Sequence, residues 1–170
     1  MNDFKKDSKD SSRTRTVSWT DPRLLAKMGR ELSGLEYLRK MQSGEIPPPP
    51  IGALINFAIA EIEEGRTVFT VEPAEYHYNP IGMVHGGLAA TLLDSAMGCA
   101  VQSMLPAGVG YTTLEIKVNY VRAMTTETGA VRCEGKIIHI GGRTAVAEGK
   151  ITDAAEKLYA YGTTTCLILR

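Results

Sequence analysis

The spacing of apolar and polar positions changes character several times along the chain. Residues 1 to 16 are polar and mixed in charge, a pattern that predicts disorder. Asp21-Pro22 then supplies an N-cap followed by proline at the first helical position, with Leu24, Leu25 and Met28 on one face. Ser33 and Glu36 have the spacing of a capping box for a second short helix. Leu35, Leu38 and Met41 form its apolar stripe, and Gly44 is its expected stop. Pro47 to Pro50 must run extended, as a stiff spacer between this helical arm and the rest of the chain. Ile51 to Ile55 reads as a short helical turn.

Beyond the prolines the period becomes that of strands. Ile59 to Glu63 and Thr67 to Val71 read as two strands around a Glu64-Gly65 turn. Tyr76 to Val84 is a loop carrying Asn79-Pro80 and Gly82. His85 to Met104 is a helix that is apolar nearly all round, the pattern of a buried helix, and Pro106-Ala107-Gly108 breaks it. In Thr112 to Arg122 the alternation places Leu114, Ile116, Val118 and Tyr120 on one face, opposite Thr113, Glu115, Lys117 and Asn119. Strand-like runs follow at 130–140, 144–152 and 158–169, with Gly141-Gly142 and Asp153-Ala154-Ala155 as turns. These consecutive runs predict an antiparallel meander. The plan is α+β: two strands, one buried helix, then four strands, with one sheet wrapped round the helix to cover its apolar circumference.

Composition narrows the function. A chain of 170 residues, 44% hydrophobic and 22% charged, is long enough for one core. Zero net charge gives no electrostatic case for nucleic acid or a membrane surface. No apolar run reaches the roughly 20 residues of a spanning helix. Cys99, Cys133 and Cys166 are widely spaced and the first 15 residues lack the apolar core of a secretion signal, so a cytoplasmic, reducing environment is expected. His77, His85 and His139 are scattered without metal-ligand spacing, so no metal or other cofactor is expected.

The candidate chemistry lies at the start of the apolar helix. Gly86 and Gly87 leave the backbone open to close approach, where free N–H groups and the positive end of the helix dipole favour an oxyanion or a polarised carbonyl. Asn79 and His85 add possible donors. Asp94 is the only acid between Glu75 and Glu115, and no Lys or Arg lies between Arg66 and Lys117. With apolar neighbours on each side Asp94 is expected to be kept from solvent, and it reads either as a locally bonded structural group or as a general base or nucleophile. Gly86 and Asp94 are eight residues apart, about 12 Å along a helix, too far to act on one carbon from one helix. Two antiparallel helices from two subunits would solve this, which favours a symmetric dimer with two shared sites.

These residues resemble the hotdog-fold thioesterases, in the PaaI-like acyl-CoA thioesterase branch. The resemblance rests on Asn-Pro-x-Gly-x-Val-His-Gly-Gly at 79–87, Leu-Leu-Asp-Ser-Ala-Met-Gly around Asp94, Gly-Tyr-Thr-Thr-Leu-Glu at 110–115 and Gly-Gly-Arg-Thr-Ala at 141–145. It spans residues 47 to about 169 and implies a hotdog domain at 47–170, with the disordered start and helical arm at 1–46 outside it. It implies a curved antiparallel sheet round a central helix, assembled as a dimer or tetramer, that hydrolyses an acyl-CoA. In that scheme Asp94 is the nucleophile or general base and the Gly86 amide polarises the carbonyl. Asn79 and His85 support it, and Thr113 lies near the attacking water, with Thr112 as its alternative. Gly87 adds to the substrate cradle. Arg143 is the leading candidate for the CoA phosphates, followed by Arg122 and Lys117. The alternatives are a non-catalytic acyl-CoA binding or regulatory protein and, fitting less well, a hotdog dehydratase. Leu88, Leu92 and the 51–62 segment are expected to line an apolar acyl pocket.

Overall fold

In a computed structural model that describes residues 12–170, the Asp21 carboxylate accepts from the Arg23 N–H at 2.9 Å and starts α1, Pro22–Glu31. The capping box forms as spaced: Ser33 and Glu36 bond reciprocally at the start of α2, Gly34–Ser43. Gly44 ends α2 in the left-handed conformation, φ 83°. Pro47 to Pro49 are extended, and Pro50 already belongs to α3, Pro50–Ile55. The expectation of disorder for residues 1–11 lies outside the described residues. Residues 12–16 depart from it, because the Arg15 guanidinium donates to the carbonyls of Leu54 and Ala53 at 2.7 and 3.0 Å. It also stacks 4.1 Å above the Tyr76 ring.

The strands are β1 (Phe57–Glu63), β2 (Arg66–Val71), β3 (Gly110–Tyr120), β4 (Val131–Ile140), β5 (Thr144–Thr152) and β6 (Leu158–Leu169), with α4 (Gly86–Ser103) between β2 and β3. They form one antiparallel sheet in the order β1-β2-β4-β5-β6-β3. The expected four-strand meander is therefore corrected. Only β4, β5 and β6 run as one; β3 pairs with β6 and forms the far edge. The chain leaves the β1–β2 hairpin through α4, lays down β3 on the opposite side of the helix, and fills the gap with the last three strands. Periodicity reports which face of a strand is apolar and is silent about its neighbour.

The alternation in β3 is also corrected. A bulge lies between Thr113 and Glu115, so that Leu114 has no partner on β6 and stands 57% exposed. The extra residue changes the phase of the strand: Tyr111 and Thr113 turn inward before it, Ile116 and Val118 after it.

The sheet holds α4 closely. Gly135, Gly149 and Gly162 lie side by side on β4, β5 and β6, in a row continued by Thr67 on β2. The Thr67 hydroxyl, fully buried, donates to the Ala96 carbonyl of α4 at 2.7 Å. A Cβ on Gly135 would stand 2.3 Å from the Ala96 carbonyl carbon and 2.5 Å from the Met97 nitrogen. Neither is a side chain that can swing away. Gly135→Ala is expected to destabilise the fold by about 3 kcal/mol, the upper range of core overpacking, measured as a lowered midpoint in urea. A wild-type midpoint would show that the helix shifts without cost.

Candidate active site

On α4, Leu88, Leu92, Leu93, Ala96, Met97, Ala100 and Val101 are buried, yet the helix is not covered all round. Asp94 is exposed, and Thr91, Ser95, Cys99 and Gln102 are only partly covered. The expectation that apolar neighbours keep Asp94 from solvent is corrected, since those neighbours face the sheet and Asp94 stands on the one open stripe. The Thr113 hydroxyl donates to Asp94 Oδ1 at 2.9 Å. The β3 bulge makes this contact available, because it turns Thr113 inward and leaves Thr112 exposed. Tyr111, on the same inward phase, comes so close to α4 that a Cβ on Gly98 would meet its hydroxyl at 2.3 Å. Burial, with Cys99 and Asp94 nearby, holds the Tyr111 phenol well above its ordinary range. Burial, reinforced by Asp94, pushes the Cys99 thiol up to about 12. Cys99 is therefore a neutral thiol and a poor nucleophile at neutral pH.

A second group of residues gathers at the start of α4. His85 is its N-cap, and the Gly87 N–H donates to His85 Nδ1 at 2.8 Å. The Gly87 amide is thereby occupied within the chain. Among the described residues the Gly86 N–H has no such partner. With Nδ1 accepting, the ring proton of neutral His85 sits on Nε2, which is free to donate. Asn79 pins the preceding loop: its Oδ1 accepts from the N–H groups of Ile81 and Met83 at 3.1 and 3.2 Å, which leaves its amide hydrogens as donors. Behind the loop His77 is buried, accepts from the Ala74 N–H at 3.0 Å, faces the Ile55 carbonyl at 2.8 Å and accepts the His85 N–H at its own carbonyl. Burial lowers the His77 pKa and keeps the ring neutral. The Tyr120 ring covers the other flank; a Cβ on Gly86 would lie 3.1 Å from it.

The structure thus brings Asp94 and Thr113 together and sets His85 and Gly86 at the start of the same helix, eight residues before Asp94, with Asn79 in the loop that leads into it. The Arg122 guanidinium donates to the Leu158 carbonyl at 3.1 Å and rests over the Tyr159 ring. Arg143 is exposed at the β4–β5 turn. Among the described residues no cluster of three or more His, Cys, Asp or Glu is placed to hold a metal ion, and no helix is long and apolar enough to cross a membrane.

Beside Asp94 opens a cavity of about 970 Å³. The 51–62 segment lines it as expected, through Ile51, Phe57 and Ile59. Leu88 and Leu92 do not; they face the sheet, 5% and 0% exposed. Sequence reasoning missed Tyr111 and Gln102; α1 and α2 of the arm also reach the cavity. The inward phase of Tyr111 had no signal apart from the bulge.

Comparison with known proteins assigns the family. Residues 81–160 match the thioesterase superfamily. A 1,4-dihydroxy-2-naphthoyl-CoA hydrolase of Listeria monocytogenes is 35% identical over 105 residues, covering 61% of this chain and 83% of that protein. The chain belongs to the thioesterase superfamily. It is a thioester hydrolase with the hotdog fold. A Streptococcus mutans protein solved with acetyl-CoA bound is similar at 27% identity and a TM-score of 0.61, over 67% of this chain and 89% of its own. The PaaI protein of the Escherichia coli phenylacetic acid degradation operon shares the fold, with a TM-score of 0.69 at 18% identity over 80% of this thioesterase and 96% of its own chain.

Proposed function

We propose that this thioesterase hydrolyses an acyl-CoA at a site shared by two subunits, with Asp94 as nucleophile or general base. The observation that carries the reading is the Thr113–Asp94 hydrogen bond on the one uncovered stripe of α4, at the mouth of a cavity. A coenzyme A thioester is the substrate in the name of the Listeria relative, and the Streptococcus neighbour holds acetyl-CoA.

The donors that would polarise the carbonyl stand about 12 Å from Asp94 along α4. A second copy provides the missing half. Among the described residues the outer edge of β3 is unpaired and carries exposed Leu114 and Tyr120, with Val121 just beyond it; a long unpaired edge of this kind calls for a partner. Two β3 edges pairing about a two-fold axis would set the two α4 helices antiparallel, each N-terminus facing the other's Asp94. There the Gly86 amide and His85 Nε2 of one subunit would bind the thioester oxygen while Asp94 of the other delivers the attack. Either the carboxylate adds to the carbonyl carbon, the C–S bond breaks and water then cleaves the resulting mixed anhydride to free acid and carboxylate, or the carboxylate takes a proton from water, whose oxygen adds to the carbonyl carbon and breaks the C–S bond. In both routes CoA leaves as a thiolate and collects a proton. Arg143, exposed at the β4–β5 turn, is the base this reading gives to the CoA phosphates.

The test is complementation. Two inactive variants, Asp94→Ala and Gly86→Pro, are co-expressed with different tags. A shared site predicts that mixed dimers recover one intact centre, about a quarter of wild-type thiol release for random pairing of equal amounts. No recovery in purified mixed dimers would place both groups in one chain's site and defeat the arrangement.

A further inference from the structure

We propose that the N-terminal arm is the roof of the acyl pocket and selects uncharged, apolar acyl groups of about eight to ten carbons; this rests on the reading of Asp94 as the reaction centre. The cavity begins at Asp94 and follows α4 to Gln102. Those eight residues advance about 12 Å, the reach of about ten atoms in an extended chain. An acetyl group would occupy only the first turn. The far part of the cavity is closed by the arm: Leu25 of α1, Leu38 and Met41 of α2, opposite Phe57 and Ile59 of β1.

The arm is fixed where a roof must be fixed. Gly34 sits against α4 so closely that a Cβ would fall 1.7 Å from the Gln102 carbonyl oxygen, and its N–H donates to the Leu105 carbonyl at 2.9 Å. The Tyr37 hydroxyl donates to the Leu25 carbonyl at 3.2 Å, joining α1 to α2. Gln42 Nε2 donates to the Ala60 carbonyl at 2.7 Å, joining α2 to β1. Leu25 and Leu38, 4% and 3% exposed, belong to the packed interior. Among the described residues Asp94 is the only side-chain carboxylate in the lining, and the bases there, Arg30 and Arg170, are exposed. A terminal carboxylate on the acyl group would lose water deep in the cavity without gaining a buried partner.

The experiment uses the full chain with acetyl-, butyryl-, octanoyl-, decanoyl- and succinyl-CoA. Expected is a rise in kcat/KM of about fourfold for each methylene that enters the cavity, with succinyl-CoA far below octanoyl-CoA. Met41→Trp, which fills the cavity from α2, is expected to cut octanoyl-CoA turnover at least about tenfold more than acetyl-CoA turnover. Met41→Ala, which carries less risk to folding, should shift the preference toward decanoyl-CoA. A flat length profile, or an equal effect of Met41→Trp on acetyl- and octanoyl-CoA, overturns the roof. Calorimetry with the non-hydrolysable octanoyl thioether of CoA separates this from the proposed reaction. If no acyl-CoA is cleaved, the reaction fails, and the roof still stands or falls on whether Met41→Trp weakens that binding about tenfold or leaves it unchanged.

Discussion

Asp94→Ala is expected to lower kcat for acyl-CoA hydrolysis by at least about a hundredfold, the scale of a lost general base or nucleophile. KM should change little, because the acyl cavity and the rim are intact. The mutant should melt at the wild-type temperature or above it, since Asp94 is exposed and its one side-chain partner is the Thr113 hydroxyl. A stable, well-folded Asp94→Ala protein with full activity would remove Asp94 from the mechanism. A single turnover in water labelled with heavy oxygen tests the direct route: label in the Asp94 carboxylate identifies a mixed anhydride opened at the Asp94 carbon, and label confined to the released acid shows that water adds at the acyl carbon.

Gly86→Pro is expected to cost about 10² to 10³ in kcat, the effect of deleting one oxyanion donor. Proline suits this position unusually well. Gly86 is the first residue of α4, where a missing N–H breaks no helical bond. His85 before it has φ −62° and ψ 134°, the extended conformation that a following proline requires. The substitution therefore removes one donor and keeps the backbone path. Gly86→Ala is the control, because it adds the same Cβ, 3.1 Å from the exposed ring of Tyr120, and retains the N–H. If alanine and proline reduce activity alike, crowding by Tyr120 is the cause and the amide has no role.

Local chemistry made much of this fold legible from residues alone. The Asp21 cap, the Ser33–Glu36 box, the Gly44 stop and the bounds of α4 all follow from side chains bonding within a few positions of themselves. What sequence could not supply depends on distant chain. The place of β3 beside β6 is a pairing across about fifty residues, and an alternating pattern suits any neighbour. The bulge at Leu114 has no composition of its own, so alternation alone turns Thr113 outward while the family motif points to it. The apolar sequence neighbours of Asp94 suggest burial; exposure on a helix is decided by what lies on the same stripe. The arm's place at the cavity is a matter of Gly34 meeting Gln102, two residues that carry no mark of each other.

The row of glycines under α4 sets more than stability. The helix lies between two spaces: a sheet that meets it at backbone contact, and a cavity on its opposite flank. Close-packed interiors transmit displacement rather than absorb it, so an atom added at Gly135, which meets the backbone of α4, acts as a shim, lifting α4 and its carboxylate toward the cavity. The depth of that cavity is thus adjustable from the sheet, by a residue that never meets the substrate.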